Sequence, residues 1–148
     1  MRTLGVDLGD VRIGLSLSDP EGRVATPLVT LAVSDPDDVE GTVTALVDAA
    51  RQHGAGAVVV GLPRSLSGEE REPAQRARLI AERVEQGSGL AVHLWDERLT
   101  TVEAERTMLA QGAKRRERRA AADRVAATLL LQTFLDAMHG GEQERGSR

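Results

Sequence analysis

The chain has 148 residues, no cysteine, a formal net charge of -4, 41% hydrophobic residues and 1% aromatic residues. That length suits one domain with a single core, and the missing cysteines exclude both a disulfide framework and a thiolate metal site. Any metal must be held by oxygen or imidazole, which favours a hard cation such as Mg²⁺ or Mn²⁺. Trp95 and Phe134 are the whole aromatic inventory, so base-stacking platforms are excluded as a main binding device. Asp7, Asp10 and Arg12 interrupt the first apolar segment, and the expectation is a soluble, cytoplasmic protein with no membrane partner.

Residues 3–9 alternate, with Leu4, Val6 and Leu8 on one side and Thr3, Gly5 and Asp7 on the other, as a strand requires. A second run, Arg12 to Leu17, ends in the turn-forming Ser18-Asp19-Pro20-Glu21-Gly22. A third, Val24 to Leu31, carries Pro27 and reads as an edge strand. From Pro36 through His53 the period changes: Val39, Val43, Leu46, Val47 and Ala50 recur at helical spacing, with Ser34 or Asp35 as cap and Gly54 as stop. Ala57 to Pro63 is a continuous apolar run, as in a parallel strand covered on both faces. A helix over 70–86, a strand over 90–95, a helix over 100–111 stopped by Gly112 and a last helix over 118–138 complete the series. The order β-β-β-α-β-α-β-α-α predicts an α/β domain over 1–139, with a mixed five-stranded sheet and helices on both faces. Residues 140–148 read as a polar, disordered tail.

Three acids stand out. Asp7 lies in an apolar strand between Gly5 and Gly9, where a buried carboxylate needs either a hydrogen-bonding partner or a cation. Asp123 shares a helical stripe with Ala127, Leu130 and Phe134, within roughly 60° of arc, so it projects from the face turned towards the sheet. A neighbouring arginine such as Arg98 is one way to satisfy it. Glu97 follows the strand ending at Trp95, and loops at the carboxyl ends of parallel strands border the crevice where open α/β sheets bind ligands. Glu97 also fits a surface acid beside a helix start at Thr100 or Thr101. If the first strand lies beside the one ending at Leu62, Asp7 and Glu97 approach one edge and the last helix can bring Asp123 over them. Three converging carboxylates repel unless a divalent cation neutralises them.

Lys114, Arg115, Arg116, Arg118 and Arg119 lie within six positions, a run that by itself fits a solvated face.

Gly5-Val6-Asp7-Leu8-Gly9, Arg12-Ile13-Gly14, Val60-Gly61-Leu62-Pro63 with Gly68, Asp96-Glu97-Arg98-Leu99-Thr100-Thr101-Val102-Glu103-Ala104 and Asp123-Arg124-Val125-Ala126-Ala127 with Leu131-Gln132 occur in this order. Together they resemble the YqgF/RuvX family of bacterial RNase H-like nucleases, over residues 3 to about 136. Asp10 and the segment Arg64-Ser65-Leu66-Ser67 depart from the residues usual in that family. The resemblance implies an RNase H-like fold and a metal-dependent nuclease trimming the 5′ end of pre-16S rRNA in ribosome biogenesis, in a family also described as resolving Holliday junctions. It implies Asp7, Glu97 and Asp123 as the catalytic, metal-binding acids. Arg12, Arg64, Arg98, Lys114, Arg115, Arg116 and Arg119 then become candidates for contacting nucleic acid, RNA ahead of DNA. A non-catalytic ribosome-assembly module is the competing reading. It would not require an acid on the inward face of a helix. One active site suffices to trim an RNA end, whereas matched cuts in a junction call for a two-fold dimer; monomer and homodimer both stay open.

Overall fold

A computed structural model describes residues 1–63, 67, 69–97 and 126–139. The elements are β1 (Arg2–Leu8), β2 (Arg12–Ser18), β3 (Ala25–Ala32), α1 (Val39–Gln52), β4 (Ala55–Leu62), α2 (Glu72–Ser88) and β5 (Ala91–Asp96), followed by a helix over 126–139, here α3. The expected helix over 100–111, the start of the last helix and the tail over 140–148 lie outside the described residues.

The strands form one sheet in the order β3-β2-β1-β4-β5. β1 and β2 pair antiparallel, as do β2 and β3, while β1 pairs parallel with β4, and β4 with β5. The meander therefore supplies one half of the sheet and the crossover strands the other, with β1 central. Pro27 sits on the edge strand β3 where the register with β2 shifts, a position that tolerates its missing N–H.

Alternation along the strands sorts the side chains onto two faces. Leu4 and Val6 of β1, Ile13, Leu15 and Leu17 of β2, and Val58, Val60 and Leu62 of β4 form one core with Leu46 and Ala50 of α1 and Ala77, Ile80 and Val84 of α2. The opposite face carries Thr3, Gly5 and Asp7 of β1 together with Val59 of β4, which packs on Leu130, Leu131, Phe134 and Leu135 of α3. Helices thus cover both faces. The apolar run of β4 is divided between them, as a strand buried on both sides demands.

The first helix begins later than its periodicity implies. The Asp35 carboxylate accepts the Asp37 N–H at 2.9 Å, and the Asp38 N–H reaches the Asp35 carbonyl at 3.1 Å, so 35–38 form a turn. Asp38, rather than Ser34 or Asp35, is the cap, and it accepts the Gly41 N–H at 3.0 Å. Helix α2 has Pro73 in its first turn and ends on Gly89 at φ 74, the left-handed stop that glycine adopts freely.

Polar bonds as well as apolar contacts fix α3 on the sheet. The buried Ser16 hydroxyl donates to the Ala127 carbonyl at 2.7 Å. The Gln132 side chain accepts the Ala25 N–H at 2.9 Å and donates to the Arg23 carbonyl at 2.8 Å. Among the described residues, no helix is long and apolar enough to cross a membrane.

Close approach of α3 requires Gly5. A Cβ there would stand 2.3 Å from Ser16 Oγ, 2.9 Å from Leu131 Cβ and 3.3 Å from the Ala127 carbonyl oxygen. Leu131 Cβ belongs to the root of its side chain and cannot swing away. Gly5→Ala should therefore lift α3 and cost about 1–3 kcal/mol, measured by urea unfolding. A loss within about 0.5 kcal/mol, the ordinary surface range, would show that the helix is not seated against β1 as described.

Candidate active site

Asp7 is the last residue of β1 to face α3, and the positions around it carry no side chain. Gly14 pairs with it across β2. On the β4 side the register runs from Gly5 opposite Val59 and Val6 opposite Val60, so Gly61 is next in line. Gly9 follows two residues on, and its Cβ would strike the Arg12 carbonyl oxygen at 2.3 Å. Asp7 consequently stands among backbone positions that carry no side chain, at the carboxyl end of the parallel strands, where open α/β sheets bind ligands.

Glu97 reaches this end of the sheet from the residue after β5. Gly61 makes room for it: a Cβ at Gly61 would lie 3.1 Å from Glu97 Oε1 and 3.0 Å from Leu130 Cδ1. The Glu97 carboxyl lies within hydrogen-bonding reach of the Asp7 carboxyl, a contact made when one of the two holds a proton. Both residues are half-buried. Desolvation first, then the hydrogen bond and negative charge of Asp7, then the charge of Asp96, push the Glu97 carboxyl up from 4.5 to about 9. Glu97 thus keeps its proton at neutral pH and donates it to the Asp7 carboxylate. Two carboxyls meeting at a site need one positive charge between them, and in the metal-free protein a proton supplies it.

Trp95 pairs with Gly61 in the β4–β5 register and lies edge-on to Phe134, ring centroids 5.5 Å apart, while His93 lies 5.1 Å from the same ring. The two aromatic side chains of the chain therefore pack the support under the site. The Trp95 indole N–H is buried without an acceptor among the described residues.

The structure thus brings Asp7 and Glu97 together as the sequence predicts. Asp123 lies outside the described residues, four positions before Ala127 in the sequence; Ala127, Leu130 and Phe134 are buried against the sheet. Arg12 is exposed at the start of β2. Arg64, Arg98, Lys114, Arg115, Arg116 and Arg119 also lie outside the described residues. Among those described, no group of three metal-capable side chains is assembled. The donors that are present fit a hard cation, because a half-buried pair of carboxyls can surrender its shared proton to one. Sequence reasoning missed the glycines around Asp7 and Gly61. Their signal was the spacing of Gly5, Gly9 and Gly14 around Asp7, and of Gly61 at the end of an apolar strand.

A family model described as RuvX, Holliday junction resolvase, matches residues 1–137. The chain belongs to the RuvX family. It is 43% identical over 148 residues to a protein of Pelotomaculum thermopropionicum named "Putative pre-16S rRNA nuclease", an alignment covering 100% of this chain and 95% of that one. A protein of the same name from Myxococcus xanthus is 40% identical over 137 residues, covering 93% of this chain and 89% of the relative. Among solved structures, Thermus thermophilus RuvC in complex with a Holliday junction substrate superposes with a TM-score of 0.61, covering 95% of this chain and 96% of that one. At 18% identity that likeness shows the fold, and the fold is RNase H-like.

The raised Glu97 carboxyl carries a stability consequence. The unfolded chain gives up this proton near pH 4.5 and the folded chain near pH 9, so between those values the folded state holds more protons. Stability of the metal-free protein should accordingly fall as pH rises through that window. Glu97→Gln, which donates the same hydrogen bond without titrating, should remove the decline. Thermal melts of both proteins in chelator across this range check it, and parallel pH profiles would refute the shared proton.

Proposed function

We propose that this chain is a metal-dependent nuclease that hydrolyses phosphodiester bonds in RNA, with Asp7, Glu97 and Asp123 holding Mg²⁺ or Mn²⁺. The observation that carries this reading is the Asp7–Glu97 carboxyl pair at the carboxyl end of the sheet. A structural role explains such a pair poorly, because it imposes desolvation and repulsion that an apolar pair would avoid. The chemistry that a hard divalent cation supplies when bound at such carboxylates is activation of water near neutral pH and neutralisation of charge on the phosphoryl oxygens. The protein's own part is positional. Asp7 is held by the central strand, Glu97 is seated by the space at Gly61, and the backbone positions around Asp7 carry no side chain. Arg12, Arg64, Arg98, Lys114, Arg115, Arg116 and Arg119 supply contacts to phosphates, which orient the strand without reading its sequence.

The names of the relatives support pre-16S rRNA as the substrate, and trimming of its 5′ end in the cytoplasm is the cellular reaction that this reading assigns. Resolution of four-way DNA junctions is the second reading, favoured by the family description and the RuvC likeness. Junction cleavage needs two matched active sites, whereas end trimming needs one.

Cleavage of matched single-stranded RNA, single-stranded DNA and four-way-junction substrates in Mg²⁺ and Mn²⁺ tests both. Single-stranded RNA should be cut, and paired symmetric nicks in junctions with intact RNA would reverse the preference. Asp7→Asn should leave the fold intact and reduce cleavage by more than the roughly 10–100-fold that follows loss of an outer-shell partner. Wild-type cleavage by that variant would remove Asp7 from the site.

A further inference from the structure

The turn joining β1 to β2, residues 9–12, leads directly from Asp7 to the surface, and it is held from three sides. The Gly9 N–H donates to the Arg12 carbonyl at 2.9 Å, and the Val33 N–H donates to the Val11 carbonyl at 2.8 Å. From α2, Arg76 reaches round the end of the sheet, its Nε donating to the Pro36 carbonyl at 3.2 Å and its Nη1 lying 3.5 Å from the Gly9 carbonyl. Its Nη2 is buried with no hydrogen-bond partner among the described residues. Burying part of a guanidinium strips it of water, so Arg76 braces this turn with a desolvated cation.

External support is needed because of the turn's own backbone. Two-residue hairpin loops prefer mirror-image turns with positive φ, which match the strand twist. Asp10 and Val11 both have negative φ, since no non-glycine described here has a positive one. The residue presented at this fixed tip is a β-branched aliphatic one, 69% exposed, where turn chemistry favours Asn, Asp or Gly.

We propose that Val11 is a nucleotide-contacting residue, packing its methyl groups against a base of the single-stranded nucleic acid next to the bond that is cut. Three features argue for that occupant. Gly9 places no side chain between Asp7 and the tip, its Cβ position being closed by the Arg12 carbonyl of the same turn. The tip is about 10 Å along the hairpin from Asp7, within about three nucleotides of a phosphate bound there. Trp95 and Phe134, the chain's two aromatic side chains, are packed against each other beneath the site, so apolar contact with a base falls to an aliphatic residue. Aliphatic side chains in contact with nucleic acid act in this way, as wedges or covers on a base face. The inference rests on the nuclease reading for the location of the cut, but its test reads binding.

Val11→Ser and wild type are compared for binding a short labelled single-stranded RNA in chelator, by fluorescence anisotropy. An abasic residue is walked through the RNA one position at a time. On intact RNA, Val11→Ser should bind about five-fold more weakly, the loss expected for removing one to two buried methyl groups. The difference should vanish when the contacted base, and only that base, is absent, and Val11→Leu should bind like wild type. Equal binding by Val11→Ser and wild type, or a penalty that persists at every abasic position, overturns the inference, as does absence of RNA binding by wild type. Wild type that binds RNA with this pattern but cuts nothing in Mg²⁺ or Mn²⁺ would instead refute the nuclease reading and leave the Val11 contact standing.

Discussion

Two carboxyl groups, Asp7 on the central strand and Glu97 just after the edge strand β5, meet at one end of the sheet and share a proton. Much of the surrounding structure is arranged to bring them together. The parallel pairing of β1, β4 and β5 makes all three strands end at the same edge. Gly61, in the strand between them, has no side chain, and the vacated volume is where the Glu97 carboxyl sits against Leu130. Partial burial makes the pair more demanding, because desolvation raises the cost of ionising Glu97.

The two faces of the sheet divide the work. On one, α1 and α2 bury the aliphatic side chains that hold the strands in register. On the other, α3 is brought close by Gly5 and tied by Ser16 and Gln132. Stability and chemistry are thereby separated across the thickness of one sheet. Arg76 is an exception, since it grows from the stabilising face and reaches round to brace the turn beyond Asp7.

Much of this was legible in the sequence. Alternation in residues 3–9 gave β1 and put Asp7 opposite Leu4 and Val6, and the uninterrupted apolar run of β4 marked it as buried on both sides. The stripe of Ala127, Leu130 and Phe134 identified the face of the last helix that meets the sheet. Local competition between hydrogen bonds was harder to read. Asp35 closes a turn with its own chain neighbours, so the cap passes to Asp38, and periodicity cannot distinguish the two. The role of Gly61 was hidden for a different reason: it depends on a contact with Glu97, thirty-six positions away, that exists only once β4 and β5 are paired. A proton in place of a cation was likewise invisible, because charge repulsion among acids is relieved by either.

On the proposed reading, the site exchanges one positive charge for another. A divalent cation entering between Asp7 and Glu97 must expel the proton that Glu97 holds with a carboxyl raised to about 9. Calorimetric titration of the protein with Mn²⁺ at pH 7, repeated in buffers of different ionisation enthalpy, counts the protons released. The account predicts release of about one proton per bound cation in wild type and essentially none in Glu97→Gln. Binding of Mn²⁺ by wild type without proton release, or no binding at all, would contradict it.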